Sequence, residues 1–128
     1  MKDINIVGKI NREIFKAVTS DIQTDEVIIT SVQVEHIKIS HPNDYERYFR
    51  YAKAIIEAPD YILEANKPNS AVLLKSIEEN GKRYKLILRL KTSSDPKDYK
   101  NSVITFQKVE EKRYERYLRT KKVLYKRE

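Results

Sequence analysis

Both histidines of this 128-residue chain fall in one short segment, Glu35-His36-Ile37-Lys38-Ile39-Ser40-His41-Pro42. On an unbroken helix, five residues turn two rings about 140° apart, too far round the axis to share a site easily. Pro42 changes this, because the residue before a proline is pushed out of the helical region. His36 then stays on a helix while His41 occupies the turn after it. Two imidazoles that titrate near neutrality suit metal-free RNA cleavage. One takes the proton of a ribose 2′-OH and the other protonates the departing 5′-oxygen. A packed helix residue and a helix cap are the plainer roles for the same pair.

Cations and hydroxyls that could serve this chemistry sit on strands. Asn80-Gly81 between Ala71–Glu78 and Arg83–Lys91 is a strong hairpin signal. With Asn80 and Gly81 as the two loop residues, Lys75 faces Leu86, Leu73 faces Leu88 and Val72 faces Arg89. Lys75 is then the one charged residue on the face of Leu73, Ile77, Leu86, Leu88 and Leu90. It must find a carboxylate, reach the rim or meet a polar cleft. Arg89 and Lys91 point to the opposite face, alongside Lys85 and Ile87. Lys75 and Arg89 are candidates to stabilise charge developing on a phosphate. On the strand Ser102–Val109, alternation groups Ser102, Ile104 and Phe106 on one face and Val103, Thr105 and Gln107 on the other. Thr105 could bond a phosphate oxygen or act simply as a β-branched strand former.

The elements that carry these residues read as an α+β domain, with two helices before an antiparallel sheet. Ile4–Val7 resembles a short strand, and Ile14–Val18 is an apolar run that fits strand or helix. Asp25–Thr30 is β-branched and leads into a helix from Ser31 to about Ser40, with Thr30 and Gln33 at capping-box spacing. Asn43 and Glu46 repeat that spacing. Tyr45, Tyr48, Phe49, Ala52, Ile55 and Ile56 then form one helical stripe, ended by Ala58-Pro59-Asp60. A basic helix from about Glu110 to Arg119 and a strand at Val123–Tyr125 close the chain.

Composition narrows the function classes. The net charge is +7, and the segment from Lys108 to Glu128 carries +5 of it. Lys112, Arg113, Arg116, Arg119, Lys121, Lys122, Lys126 and Arg127 are interleaved there with Tyr114, Tyr117 and Tyr125, a pattern that suits a polyanion or a solvated helix face. Cysteine is absent, which excludes disulfides, thiolate metal sites and a cysteine nucleophile. Two glycines leave no glycine-rich phosphate loop. No zinc or calcium spacing occurs, so no metal or cofactor is expected. No apolar run approaches the roughly 20 residues of a membrane span, and Met1–Gly8 lacks the apolar core of a secretion signal. The expectation is a cytoplasmic single domain over residues 1–128, with 1–26 as the least regular part, an N-terminal extension.

Several segments together resemble the phage-type Barnase–EndoU–colicin–RelE-like nuclease family. They are Glu35-His36-Ile37-Lys38 with His41-Pro42 and Asp44-Tyr45, then Ala58-Pro59-Asp60-Tyr61-Ile62, Asn101-Ser102-Val103-Ile104-Thr105-Phe106 and Lys122-Val123-Leu124-Tyr125-Lys126. The likeness runs from about Val27 to Lys126. It implies N-terminal helices packed on a four-stranded antiparallel sheet, and a metal-independent ribonuclease acting by transesterification, as a toxin or a mobile-element or phage effector. His36 and His41 match the histidine motif, Ser102 and Thr105 the strand hydroxyls, and Tyr125 with Lys126 the C-terminal motif. The sequence departs from the pattern at Ser40, where a basic residue is expected; the loss would either weaken phosphate binding or be made good by Lys38. Expected RNA contacts are Lys38, Lys91, Lys112, Arg113, Arg116, Arg119, Lys122 and Lys126. The expected partner is RNA, with the choice between tRNA, mRNA and others left open, and an active ribonuclease would need an inhibitor or immunity protein or an equivalent restraint. Two other readings remain open: a non-catalytic RNA- or protein-binding module with the same fold, and an assembly accessory of a phage particle.

Overall fold

The computed structural model describes residues 4–128. Met1, Lys2 and Asp3, which open the stretch read as having no secretion signal, lie outside the described residues. The strands are β1 (Ile4–Lys9), β2 (Glu26–Thr30), β3 (Tyr61–Glu64), β4 (Ser70–Ile77), β5 (Lys82–Arg89), β6 (Asn101–Val109) and β7 (Val123–Lys126). The helices are α1 (Arg12–Phe15), α2 (Ser31–Ser40), α3 (Asp44–Tyr48), α4 (Ala52–Glu57) and α5 (Glu111–Thr120), with a 3₁₀ turn at Phe49–Tyr51 between α3 and α4. None is long and apolar enough to cross a membrane.

The mixed α+β class holds, but the sheet has seven strands rather than four, in the order β1-β2-β6-β5-β4-β3-β7. The added strands come from both chain ends. The β1–β2 hairpin joins one margin and β7 pairs with β3 at the other. The β2–β6 pairing is parallel and spans only Val27–Asn101 and Ile28–Ser102. Asn101, fully buried, fastens that junction. Its amide donates to the carbonyls of Thr24 and Glu26 at 2.7 and 3.0 Å, and its side-chain oxygen accepts from the Lys91 N–H at 2.7 Å. A buried carboxamide is tolerated because every polar atom finds a partner.

One face of the sheet carries Leu73, Tyr84, Leu86, Leu88, Val103 and Phe106, and is covered by Phe15, Ile37, Tyr51, Ile55 and Ile56. The other carries Leu63, Val72 and Leu74 under Tyr114 of α5. Strand β4 is therefore buried on both sides from Ser70 to Leu74. Strand β5 keeps a strict alternation, with Tyr84, Leu86 and Leu88 inside and Arg83, Lys85, Ile87 and Arg89 half-buried.

Four local expectations change. The hairpin loop has four residues, so Lys75 pairs with Tyr84 and Leu73 with Leu86. A two-residue turn of the expected kind needs two positive-φ positions, whereas here only Gly81 has one, at +67°. Asn80 instead accepts from the Lys82 N–H and donates to the Tyr84 hydroxyl at 2.7 Å. The apolar stripe from Tyr45 to Ile56 is not one helix. Residues i and i+3 eclipse in a 3₁₀ turn, and the tightening at Phe49–Tyr51 lets Tyr48 and Tyr51 both meet the Tyr84 ring at 5.5 Å. Asn43 precedes α3 with φ at +75° and makes no side-chain cap. The Thr30 cap does form, its hydroxyl accepting from the Gln33 N–H at 3.2 Å. Finally, β6 bulges at Ile104, so Thr105 pairs with Ile87 and Ser102 with Arg89. A bulge switches the facing of the residues beyond it. Ser102 and Thr105 thus share a face, and Val103 and Phe106 share the other.

Candidate functional site

Beyond Ser102 the outer edge of β6 runs past the end of β2, and α2 and α3 pack there instead. The Gln33 amide donates to the Ile104 carbonyl, and the Asp44 carboxylate accepts from the Lys108 N–H at 3.0 Å. Ile37, fully buried, pins α2 into the core, leaving His36 exposed. His41 caps the helix, its N–H donating to the Ile37 carbonyl at 2.8 Å, with φ and ψ already outside the helical region at −134° and 74°. The Pro42 break therefore puts the two histidines where the sequence expects them, one on the helix and one in the turn.

His41 is partly buried at the end of α2. Burial lowers its pKa from the ordinary 6.5; Asp44 acts against this, and Lys85, His36 and Arg113 add to it. Lys85 itself donates to the Tyr117 hydroxyl at 3.2 Å and sits 5.0 Å from that ring's centre.

The cross-strand register sets the rest of this face. Arg89 lies between Ser102 and Ser70, Ile87 between Thr105 and Val72, and Lys85 between Gln107 and Leu74. A cleft of about 530 Å³ opens over it, with Lys85, Ile87 and Arg89 on its floor and Tyr99, Tyr117 and Lys121 on its walls. Arg89 is held by Asp95 at 2.8 and 3.2 Å. The Thr92 backbone N–H, with help from Arg89, keeps the Asp95 carboxyl below the usual carboxylate range. Neither histidine lines this cleft; Lys85, on its floor, is among the charges that lower the His41 pKa.

Arg89, Ser102 and Thr105 are thereby brought to one face, and two other candidates are not. Lys75 points to the helix-covered side, where its ammonium donates to the Ala58 carbonyl at 2.6 Å and pairs with Asp60 at 3.4 Å. It answers the need for a carboxylate that its burial creates. Tyr125 lies opposite Ile62 and packs against the main core at the far margin.

The expected RNA contacts divide similarly. Lys112, Arg113, Arg116 and Arg119 line one hollow along α5 with Lys108. Lys38 instead pairs with Glu46 at 3.7 Å, Lys91 donates to the Lys97 carbonyl at 2.8 Å, and Lys122 borders a separate hollow with Glu64 and Leu124. Lys126, exposed, stands opposite Tyr61 on the last strand.

Lys85 and Tyr117 were not singled out from the sequence. The signals were present: Lys85 shares the polar parity of β5 with Arg89, and Tyr114, Tyr117 and Lys121 keep helical spacing. Tyr99 sits in a loop, where no periodicity marks it.

No curated protein and no solved structure matches the chain. A family model does, over all but the first and the last two residues. With residues 2–126 matched, the chain belongs to the phage-Barnase-EndoU-ColicinE5/D-RelE like nuclease 2 family, PBECR2.

Proposed function

We propose that this nuclease-like domain is an RNA endonuclease that cleaves through attack of the ribose 2′-OH on the adjacent phosphate, without a metal ion. His41 takes the 2′-OH proton, the oxygen bonds to phosphorus, and His36 returns a proton to the departing 5′-oxygen. The products are a 2′,3′-cyclic phosphate and a 5′-hydroxyl. Lys85 stabilises the charge that builds on the phosphorus oxygens, a part expected of Lys75 or Arg89 from the sequence. Arg89, Ser102 and Thr105 position the phosphate, and the α5 cations Lys112, Arg113, Arg116 and Arg119 draw the polyanion in. Two observations support this reading: His41 stands in the turn that ends α2, where burial first, and the charges of Lys85, His36 and Arg113 after it, lower its pKa and favour the neutral imidazole a base needs, and Lys85, Arg89, Ser102 and Thr105 share one face of the sheet.

The decisive test is incubation with total tRNA in EDTA beside the His36→Ala/His41→Ala double variant. Cleavage to cyclic phosphate ends is expected, with a loss of about 10²–10⁴-fold in the variant. Full activity in the variant, or strict dependence on magnesium, overturns the proposal. A non-catalytic RNA-binding module is the second reading, favoured by the absence of both histidines from the cleft lining. Salt-sensitive RNA binding without cleavage, unchanged in the double variant, would establish it.

A further inference from the structure

The cleft beside Lys85 has features that proton transfer does not require. Two tyrosine rings line it, and each is backed by a cation from the sheet: Lys85 lies 5.0 Å from the centre of Tyr117, and Arg89 5.5 Å from that of Tyr99. Those contacts hold rings that come from a helix and a loop. Between them the floor is apolar at Ile87, with the bulged Ile104 beside it. Lys121 adds a further cation at the wall. At about 530 Å³ the cleft falls within the range of roughly 300–1,000 Å³ typical of small-molecule sites. An apolar slot between aromatic walls, rimmed by positive charge, matches a flat heteroaromatic ring joined to phosphates. Duplex bases cannot enter such a slot, because their faces are already stacked; an unpaired base can.

We propose that this cleft is a nucleobase subsite, in which one unpaired base of the RNA stacks on Tyr117 and Tyr99 while Lys85 and Lys121 hold its flanking phosphates. The inference rests on the nucleic-acid reading above and adds to it. It identifies single-stranded RNA as the substrate class and makes the cleft the place where the cut is positioned along the strand. Lys85 lines the cleft, so a base seated there presents its neighbouring phosphate to the lysine assigned above to the charge that builds on phosphorus.

The test uses a 2′-O-methyl oligoribonucleotide, which cannot attack its own phosphate, and the same oligonucleotide with one abasic position. Binding is read by fluorescence anisotropy for the full chain and for Tyr99→Ala, Tyr117→Ala and the corresponding Phe variants. Each Ala variant is expected to weaken binding of the intact oligonucleotide about 5- to 150-fold. The Phe variants should bind like the original, and the abasic oligonucleotide should bind weakly to every protein. Equal affinity of the unaltered protein for intact and abasic strands overturns the inference, whether or not the variants fold. So does loss of binding in the Phe variants equal to that in the Ala variants. Base-dependent binding without any cleavage upholds the subsite and removes only the catalytic reading. Cleavage with base-independent binding does the reverse.

Discussion

Lys75 and Lys85 stand on neighbouring strands, yet the two faces of the sheet use them in opposite ways. Lys75 is 12% exposed and held by Asp60, itself 15% exposed, and by the Ala58 carbonyl. Asp60 also receives Arg127 at 3.1 Å and the Ser76 N–H at 2.9 Å. The helix-covered side neutralises the Lys75 ammonium within the protein, as burial of a charge requires. Among the described residues Lys85 makes no ion pair with a carboxylate, and its contacts are the hydroxyl and ring of Tyr117. A cation matched internally is a structural part; a cation offered only a phenol retains its attraction for an anion from outside. The identity of the residue does not distinguish the two. The covering layer does.

The strongest way to break this comparison is Lys85→Ala. Cleavage of tRNA is expected to fall about 10²–10³-fold, in line with losing one preorganised donor to a developing anion, with little change in melting temperature. Equal activity would remove Lys85 from the site. Lys75→Met should give the reverse result: cleavage within about twofold of the original, but stability lower by about 1–3 kcal/mol because Asp60 loses a partner. Urea denaturation reads the second number, and unchanged stability would contradict the structural role.

The smallest effect concerns pH. His41 has a folded-state pKa below 6.5, so between that value and 6.5 the unfolded chain binds more protons than the folded one. Its contribution to stability is therefore complete above pH 6.5 and declines as the pH falls through the folded pKa. Activity that needs neutral His41 should likewise fade on the acid side, with a midpoint below 6.5. Residual cleavage by Lys85→Ala should show that midpoint moved upward, since one of the charges lowering it has gone. An unmoved midpoint would separate His41 from Lys85.

What the sequence made legible is what a period of two or of 3.6 can carry. The alternation of β5 puts Lys85 and Arg89 together even though the hairpin register is displaced, because a shift of two residues leaves every side chain on its own face. The Thr30 cap and the Pro42 break bound α2 and place both histidines. The rest depends on partners far along the chain. The 3₁₀ turn at Phe49–Tyr51 arises from rings meeting Tyr84, and the tie between Asn80 and Tyr84 helps set the loop length. The bulge at Ile104, which unites Ser102 with Thr105, lies on a strand whose alternation reads as regular. Family resemblance supplied the strand hydroxyls without showing that a bulge is what makes them neighbours.

Asn101 gives the sheet a property that concerns assembly rather than chemistry. The β1–β2 hairpin is local, but its attachment to β6 joins Glu26 to a residue 75 positions later. Closing a loop of that length carries an entropic cost of about 4 kcal/mol, before a constant term, on the logarithmic scaling. Two parallel pairs and one carboxamide meet that cost where the strands join. Because α2 leaves β2 without a linker, His36 and His41 travel with the hairpin. Without that long-range closure, the segment with both imidazoles and the strands that floor the cationic cleft are separate parts of the chain.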